Sequence, residues 1–392
     1  MKVIRQTAPS AQNYRPSCNL FTGIVIHLLL GLSSCHSPRA QTVDIPVRED
    51  SLTVVRVIVA GDAMAHGPQI TRAKNPQTGE YDFSGCFRYL EDILAEGDLT
   101  IVNLETTLAG APYTGYPQFC APDSFALALR DAGFNFFLLA NNHSADKGAK
   151  GVRRTVEKLR EMKVPTAGTY LDGEDRMARY PAMVEINGIK IALLNYTYGT
   201  NGLSVAPPLS VNNLNDTAQI GADIETARAK CADIIVAFPH WGTEYKRYPD
   251  KRQKEQAAFL FRRGVDVIIG SHPHVVQPVE YFACHDGDTA KVKPVCWSLG
   301  NLISNQRKEH TDGGMLASFR IVKNKNSQST SVENFETIPC WVYRDRDTYP
   351  GYFVLPVDRF QEDTATFTFS AEDKATFERF ARNTKELLGK TR

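Results

Sequence analysis

The chain contains no G-x-x-x-x-G-K-[ST] stretch, the loop that cradles nucleotide phosphates, which argues against ATP-driven ligation by this chain alone. No two cysteines stand at C-x-x-C spacing, so no thiolate zinc site is written in the sequence. Neither charge is in excess: the formal net charge is +1, which removes the electrostatic case for a nucleic-acid partner. No segment repeats another and none is of low complexity, so solenoids and long disordered tracts are set aside. The apolar run from Leu20 to Leu32 is too short for an ordinary membrane span. What is present is a globular composition, 42% hydrophobic and 23% charged. Over this length it can bury one large core or two modest ones.

The first residues differ in kind from the rest. Lys2, Arg5 and Arg15 precede the apolar run, and Leu32-Ser33-Ser34-Cys35 closes it. A basic segment, a short apolar core and small residues at a cleavage site describe a secretory signal. The last four residues resemble a bacterial lipobox, whose Cys is acylated. That implies a signal peptide over 1–34, lipidation of Cys35, a tether over 35–50, and an exported chain lipid-anchored to the bacterial cell envelope. A plain signal peptide with an incidental Cys fits the same residues. Export leaves Cys86, Cys120, Cys231, Cys284, Cys296 and Cys340, which can pair as disulfides in several ways. The expected local bridge is Cys284–Cys296, closing a loop between two β-like stretches; free buried thiols are the alternative.

From residue 52 onward one pattern recurs: a short β-branched apolar run that stops at a polar cluster. Val54–Ala60 ends in Gly61-Asp62, Leu99–Val102 in Asn103-Leu104-Glu105, and Phe134–Ala140 in Asn141-Asn142-His143. Ile234–Phe238 ends in Pro239-His240, Val265–Ile269 in Gly270-Ser271-His272-Pro273-His274, and Val295–Leu299 in Gly300-Asn301. Between them, apolar residues at helical spacing predict helices over Ser84–Glu96, Ser124–Ala132, Gly148–Met162, Asp223–Cys231 and Asp250–Arg263. Strands apolar throughout and alternating with helices predict an α/β fold around buried sheet. In such folds functional groups gather beyond the carboxyl ends of the strands, where every one of these clusters falls. After about residue 315, Met315–Val322 and Ser331–Tyr343 read as antiparallel strands, and Ala371–Leu388 as a terminal amphipathic helix. The predicted division is one main domain over 51–345 and an extension over 346–392, with its amphipathic helix, packed on it.

Five of the nine histidines, His66, His143, His240, His272 and His274, lie in the strand-end clusters beside Asp62, Glu105 and Asn142. Such a mixed nitrogen and oxygen set suits zinc, manganese or iron. His272-Pro273-His274 places two imidazoles on one side if the segment is extended. Arg72, Lys246, Arg247 and Arg252 lie near the clusters in sequence, either to hold an anion or as solvated helix faces.

Gly61-Asp62-x-Met64, Asn103-Leu104-Glu105, Asn141-Asn142-His143-x-x-Asp146-x-Gly148, His240-Trp241-Gly242-x-Glu244-Tyr245, Gly270-Ser271-His272-Pro273-His274-Val275 and Ser298-Leu299-Gly300-Asn301 resemble, in order, the motif series of the CapA (poly-γ-glutamate capsule biosynthesis) family over roughly residues 52 to 320. That family is similar in turn to calcineurin-like metallophosphatases. The resemblance implies a four-layer α/β/β/α sandwich and a centre of one or two divalent ions. It assigns Asp62, Glu105, Asn142, His240, His272 and His274 as metal ligands, with Glu105 between two ions. His143 becomes a general acid oriented by Asp146, and Glu244, Tyr245 and His66 lie on the substrate side. Two positions depart from the metallophosphatase pattern. Met64 stands where Asp-x-His carries its histidine, and the bridging acid is Glu105 rather than Asp. His66 replaces the missing imidazole only if its turn folds back.

For function, the resemblance implies an envelope lipoprotein of poly-γ-glutamate or related capsule-polymer synthesis or processing. Its site would be metal-dependent and hydrolase-like, acting on an anionic polymer or cell-surface substrate beside other capsule-synthesis proteins. A non-catalytic polymer-handling or export accessory and a metallophosphoesterase remain as alternatives.

Overall fold

A computed structural model describes residues 51–286, 289–346, 348–362 and 366–389. The signal segment, the tether and Cys35 lie outside the described residues. The first half of the described chain runs β1 (Leu52–Ala63), α1 (Gly67–Ala73), α2 (Glu91–Ala95), β2 (Leu99–Leu104), α3 (Asp123–Asp131), β3 (Phe136–Leu138), α4 (Gly148–Glu161), β4 (Thr166–Ala167), β5 (Thr169–Tyr170) and α5 (Gly173–Arg179). The second half runs β6 (Ala182–Ile186), β7 (Ile189–Thr197), β8 (Ser210–Val211), α6 (Thr217–Ala229), β9 (Ile234–His240), α7 (Lys251–Arg263), β10 (Val267–Ile269), β11 (Val279–Asp286), β12 (Thr289–Cys296), β13 (Asn301–Ile303), β14 (Gly313–Asn324), β15 (Thr330–Arg344), β16 (Tyr352–Pro356), α8 (Val357–Glu362) and α9 (Ala371–Gly389).

Among the described residues the strands form two large mixed sheets. The first has the order β16-β15-β14-β1-β2-β3-β4, with β13 also on β1. The second has the order β11-β12-β10-β9-β7-β6. Strands β1 to β4 are mutually parallel, as are β7, β9, β10 and β12, while β14, β15 and β16 continue the first sheet antiparallel. The side-chain period of two sorts β1 by face. Val55, Val57 and Val59 join the cluster shared with β7, β9 and β10, whereas Ile58 and Ala60 face Ile70, Leu94, Phe125 and Val156 of α1, α2, α3 and α4. The first cluster continues to Ile220 and Ile224 of α6 and to Leu260 and Phe261 of α7. The layers are thus helices, sheet, sheet, helices: an α/β sandwich. Phe377 and Phe380 of α9 pack with Trp341 and Phe353 of β15 and β16 in a separate cluster. No helix among the described residues is long and apolar enough to cross a membrane.

Some sequence expectations are corrected. The helix expected over Ser84–Glu96 is a single 3-10 turn, Ser84–Cys86, followed by α2. The two are separated by turn residues 87–90, and Gly85 inside the 3-10 turn packs on Pro350, whose Cδ would lie 2.9 Å from a Cβ there. Val295–Leu299 does not continue as one strand; β12 stops at Cys296 after aligning Val295 with Ile268. The Cys284–Cys296 bridge is not formed. Register places Cys284 opposite Lys291 and Cys296 opposite Val279, and Cys296 is a buried free thiol. Five residues of register along a strand amount to roughly 16 Å, far beyond disulfide reach.

Candidate metal centre

The two sheets bring the carboxyl ends of their parallel strands together. Asp62 lies at the end of β1, in register with Asn103 of β2 on one side and Asn301 of β13 on the other. Gly61 makes that approach possible: a Cβ there would stand 2.0 Å from the Gly300 carbonyl oxygen. Glu105 follows β2, Asn141 to His143 follow β3, His240 ends β9, and Ser271 to His274 follow β10. Asp62, Glu105 and His240 have no solvent exposure, and Asn142, His272 and His274 are buried.

His272 and His274 are not on an extended segment, as the two-residue spacing suggested. Their φ angles are +98° and +57°, left-handed conformations that cost a non-glycine residue about 1–3 kcal/mol each unless the surroundings impose them. The surroundings do so. The His272 amide donates to Asp62 Oδ2 (3.3 Å), His274 Nδ1 lies 3.1 Å from the same oxygen, and the Tyr245 amide donates to the Pro273 carbonyl (2.8 Å). The rings still converge, with centroids 4.9 Å apart for His240 and His272 and 5.9 Å for His272 and His274.

Two asparagines that the sequence reading left out of the site organise it. Asn103 Nδ2 donates to Asp62 Oδ1 (2.8 Å) and lies 3.4 Å from Glu105 Oε2; its own carbonyl accepts from Asn141 Nδ2 (3.2 Å). Asn301 Oδ1 lies 3.1 Å from His274 Nδ1, and Asn301 Nδ2 donates to the Thr311 carbonyl (2.8 Å). Ser271 Oγ meets His240 Nδ1 at 2.9 Å, and the Tyr198 ring covers His272 at 4.6 Å. Their sequence signals were adjacency to Glu105, to Gly300 and to His272; Tyr198 had none.

The electrostatics are those of a centre wanting a cation. Burial drives the Glu105 carboxyl well above its usual range, and the neighbouring Asp62 charge adds to this. Burial acts the same way on Asp62, but the hydrogen bond and charge of His274, with His240 and Asn103, outweigh it and hold that carboxyl below the usual range. Burial lowers the His240 imidazole well below its ordinary value and His272 to about 3, each helped by a neighbouring imidazole. Neutral imidazole is the metal-ligating form. Glu105 Oε1 and His272 Nδ1 are buried with no hydrogen-bond partner, the kind of vacancy that a buried polar atom rarely tolerates. Three triads have ligand atoms within 4.8 Å of one another: Glu105, His240 and His272; Asp62, Glu105 and His274; Glu244, His272 and His274. Glu105 belongs to two of them. Asn142 Oδ1 lies 2.8 Å from His240 Nε2, close to the roughly 3 Å between two neighbouring ligand atoms on one ion. The donor set and its orphaned atoms therefore fit a divalent metal.

His143 lies beside this group. Its Nδ1 is 2.7 Å from Asp146 Oδ2, which also accepts from the Phe119 amide (2.6 Å). Phe119 stands edge-on between the rings of His143 (4.6 Å) and His66 (4.9 Å). His66 is in none of the triads; its Nδ1 accepts from the Asn305 amide (3.3 Å), and burial lowers its ring to about 4. Met64 is buried with its amide on the Ile303 carbonyl. Glu244 is the exposed member of its triad, and Tyr245 lies 6.3 Å from His274 under the Lys308 ammonium. Arg72 is removed from the anion-holding candidates, because Nη2 donates to the carbonyls of Asp345, Arg346 and Thr348. Arg252 donates to Asn215 and Arg247 to the Asn383 carbonyl.

The two-sheet sandwich thus gathers three candidate metal-binding triads where its strand ends meet. Among solved structures, a calcineurin-like phosphoesterase from Bacillus subtilis is 13% identical, with a TM-score of 0.43, covering 86% of this chain and 98% of that one. The model of the bacterial capsule synthesis protein family PGA_cap matches residues 56–306, and the chain belongs to that family. The PGA biosynthesis protein CapA of Bacillus subtilis is 25% identical over 345 residues, 85% of each chain. The capsule biosynthesis protein CapA of Bacillus anthracis is 25% identical over 293 residues, 71% of this chain and 67% of its own.

Proposed function

We propose that this chain is an exported, lipid-anchored capsule protein whose centre binds one or two divalent ions. In this reading it cleaves a bond in poly-γ-glutamate or a related anionic cell-surface polymer and passes the released group to water or to another acceptor, beside other capsule-synthesis proteins. The observation that carries the metal-dependent reading is the pair of orphaned buried ligand atoms, Glu105 Oε1 and His272 Nδ1, inside overlapping triads. Asp62, Glu105, Asn142, His240, His272 and His274 would hold the ions, manganese, zinc or iron by donor type. A bound divalent ion brings its water near neutrality and polarises a scissile bond.

The rest falls to this chain. Asp146 and the Phe119 ring fix His143 with Nδ1 engaged, so Nε2 is the nitrogen that hands a proton to a leaving group. Tyr198 and Tyr245 flank the imidazoles and narrow the approach of water.

The test is metal content by elemental analysis of the purified chain, wild type beside His240→Ala/His272→Ala, followed by turnover of γ-glutamyl oligomers and an aryl phosphate. About one or two equivalents in the wild type, lost in the variant along with oligomer cleavage, is expected. A wild type that stays metal-free after exposure to zinc, manganese and iron would overturn the reading and leave polymer handling without catalysis. Turnover of the aryl phosphate alone would favour a phosphoesterase.

A further inference from the structure

Residues 198–209 link β7 to β8 as a strap beside the candidate centre. At its start the Tyr198 amide donates to the His240 carbonyl (3.0 Å), which ties the strap to the end of β9. Further on, Leu203 and Val205 pack with Ala145 and with Val152 of α4, on the stretch that follows Asn142 and His143. Between these anchors the Leu203 amide closes a tight turn on the Thr200 carbonyl (2.9 Å). Asn201 and Gly202 at its centre have φ of +51° and +77°. Both central residues of such a turn are left-handed, which favours Asn, Asp or Gly at the first.

The turn aims Asn201 at Asn142. Asn201 Oδ1 accepts from Asn142 Nδ2 (3.3 Å) and from the Tyr198 hydroxyl (3.4 Å), while the Tyr198 ring lies parallel to that of His240. At its other end the same Asn142 amide puts Oδ1 2.8 Å from His240 Nε2. Asn142 is buried and Asn201 exposed, so this amide joins the inside of the centre to its rim. A primary amide has two ends of nearly equal size, and only its carbonyl oxygen offers lone pairs to a cation. The end that faces the centre is therefore decided by what the other end bonds to. In a loaded centre the contact with His240 could not decide it, because both atoms would be engaged on the ion. The bond from Nδ2 to Asn201 could.

We propose that Asn201 is a positioning residue: it holds the Asn142 amide with Oδ1 turned toward His240, and so preorganises Asn142 as an oxygen ligand. The inference rests on the metal-dependent reading above and gives a role in it to a residue outside all three triads. The amide is then ordered by folding and not at the moment of binding, which is what preorganisation contributes to affinity. In the sequence Asn201-Gly202 is a turn signal; the fold gives the Asn side chain a second use.

The experiment is calorimetric titration of the metal-free full chain with manganese and, separately, with zinc. Asn201→Gly keeps the turn and removes the acceptor; Asn201→Asp keeps both. Each is made in the wild type and in Asn142→Asp, whose carboxylate has no wrong end to present. We expect Asn201→Gly to weaken binding of at least one ion about 10–100-fold in the wild type, as loss of a ligand's outer partner does, with the Tm of the metal-free chain unchanged. Asn201→Asp should bind no more weakly than the wild type. An added charge also attracts a cation, so the deciding comparison is the second background. There the loss from Asn201→Gly should shrink to about threefold or less, because the effects of a coupled pair are not additive. Unchanged affinity in Asn201→Gly overturns the inference. So does an equal loss in Asn201→Gly and Asn201→Asp, or in both backgrounds, since either marks the strap as merely structural. Those outcomes, with a wild type that takes up metal, sink this inference alone; a wild type that binds neither ion sinks the metal-dependent reading and this inference with it.

Discussion

Asn103 shows how little of this centre is visible one residue at a time. In the sequence it is the residue before Leu104-Glu105; in the fold it joins Asp62, Glu105 and Asn141 through one side chain. Its replacement by Ala leaves every ligand in place but removes the group that orients two of them. Asn103→Ala should therefore weaken metal binding about 10–100-fold while the far-ultraviolet spectrum stays that of the wild type. Metal titration followed by circular dichroism checks both halves. Gly270 makes a steric counterpart. A Cβ there would meet the Trp297 carbonyl oxygen at 2.2 Å and Trp241 Nε1 at 2.4 Å. Gly270→Ala should destabilise the fold by about 1–3 kcal/mol, as over-packing does, and displace the segment that carries His272 and His274; chemical denaturation reads the first effect. The candidate ligands could be picked out in the sequence because each is a polar residue closing an apolar run. Asn103 and Asn301 were not singled out because a second polar residue beside a ligand looks the same whether it orients that ligand or faces solvent.

At the scale of elements, what could be read was what burial writes into composition. β9 and β10 announce themselves as apolar runs because both faces of each are covered, and β1 and β2 do so with one interruption each, Arg56 and Thr100. The hairpin of β6 and β7 was missed although it carries a strong local signal. Asn187 and Gly188 at its tip have φ of +52° and +76°, the conformation for which an Asn-Gly pair is preferred. A period-based reading weighted the strands and passed over the turn. Helix α5 illustrates a tie that no period reveals. Asp175 accepts both from Arg160 Nη2 (2.7 and 2.6 Å), from Arg179 Nε (2.8 Å) and from the Leu171 amide (2.9 Å). Burial acts to raise its carboxyl, but these donors prevail and lower it. Because the folded value is below the unfolded one, the stabilisation is complete above the ordinary carboxylate value of about 3.9 and is lost as pH falls through the folded value. Asp175→Asn should cost about 2 kcal/mol at pH 7, and the gap from wild type should close in acid. Denaturant midpoints across pH check the slope.

For the whole molecule, the α/β class followed from alternation, and the four-layer arrangement followed from the family resemblance. The docking of β14 onto β1 did not, since those two strands lie far apart in sequence, whereas β15 and β16 follow β14 and pair with their neighbours. If metal binds the folded chain, chelation should lower stability by about 2.7 kcal/mol at an ion concentration of 100 times Kd. For a domain of this size that is a fall in Tm of roughly 4 °C, read by thermal denaturation with and without chelator. The proposed lipid anchor has its own test. If Cys35 carries it, Cys35→Ala should move the chain from the membrane to the soluble fraction of its native host without changing its Tm, because Cys35 precedes β1 in the sequence.

The candidate ligands come from both sheets: Asp62 and Glu105 from the first, His240, His272 and His274 from the second. An ion held by all of them would be a rivet through two plates, added to polar contacts such as the Ala140 amide on Asn195 Oδ1 (2.7 Å) and Lys323 with Asp233 (2.7 Å). Sliding of one sheet over the other then requires the ion to leave. The hydrogen-exchange rates of amides at the ends of β1 and β9, far apart in sequence, should slow together on loading and quicken together on chelation.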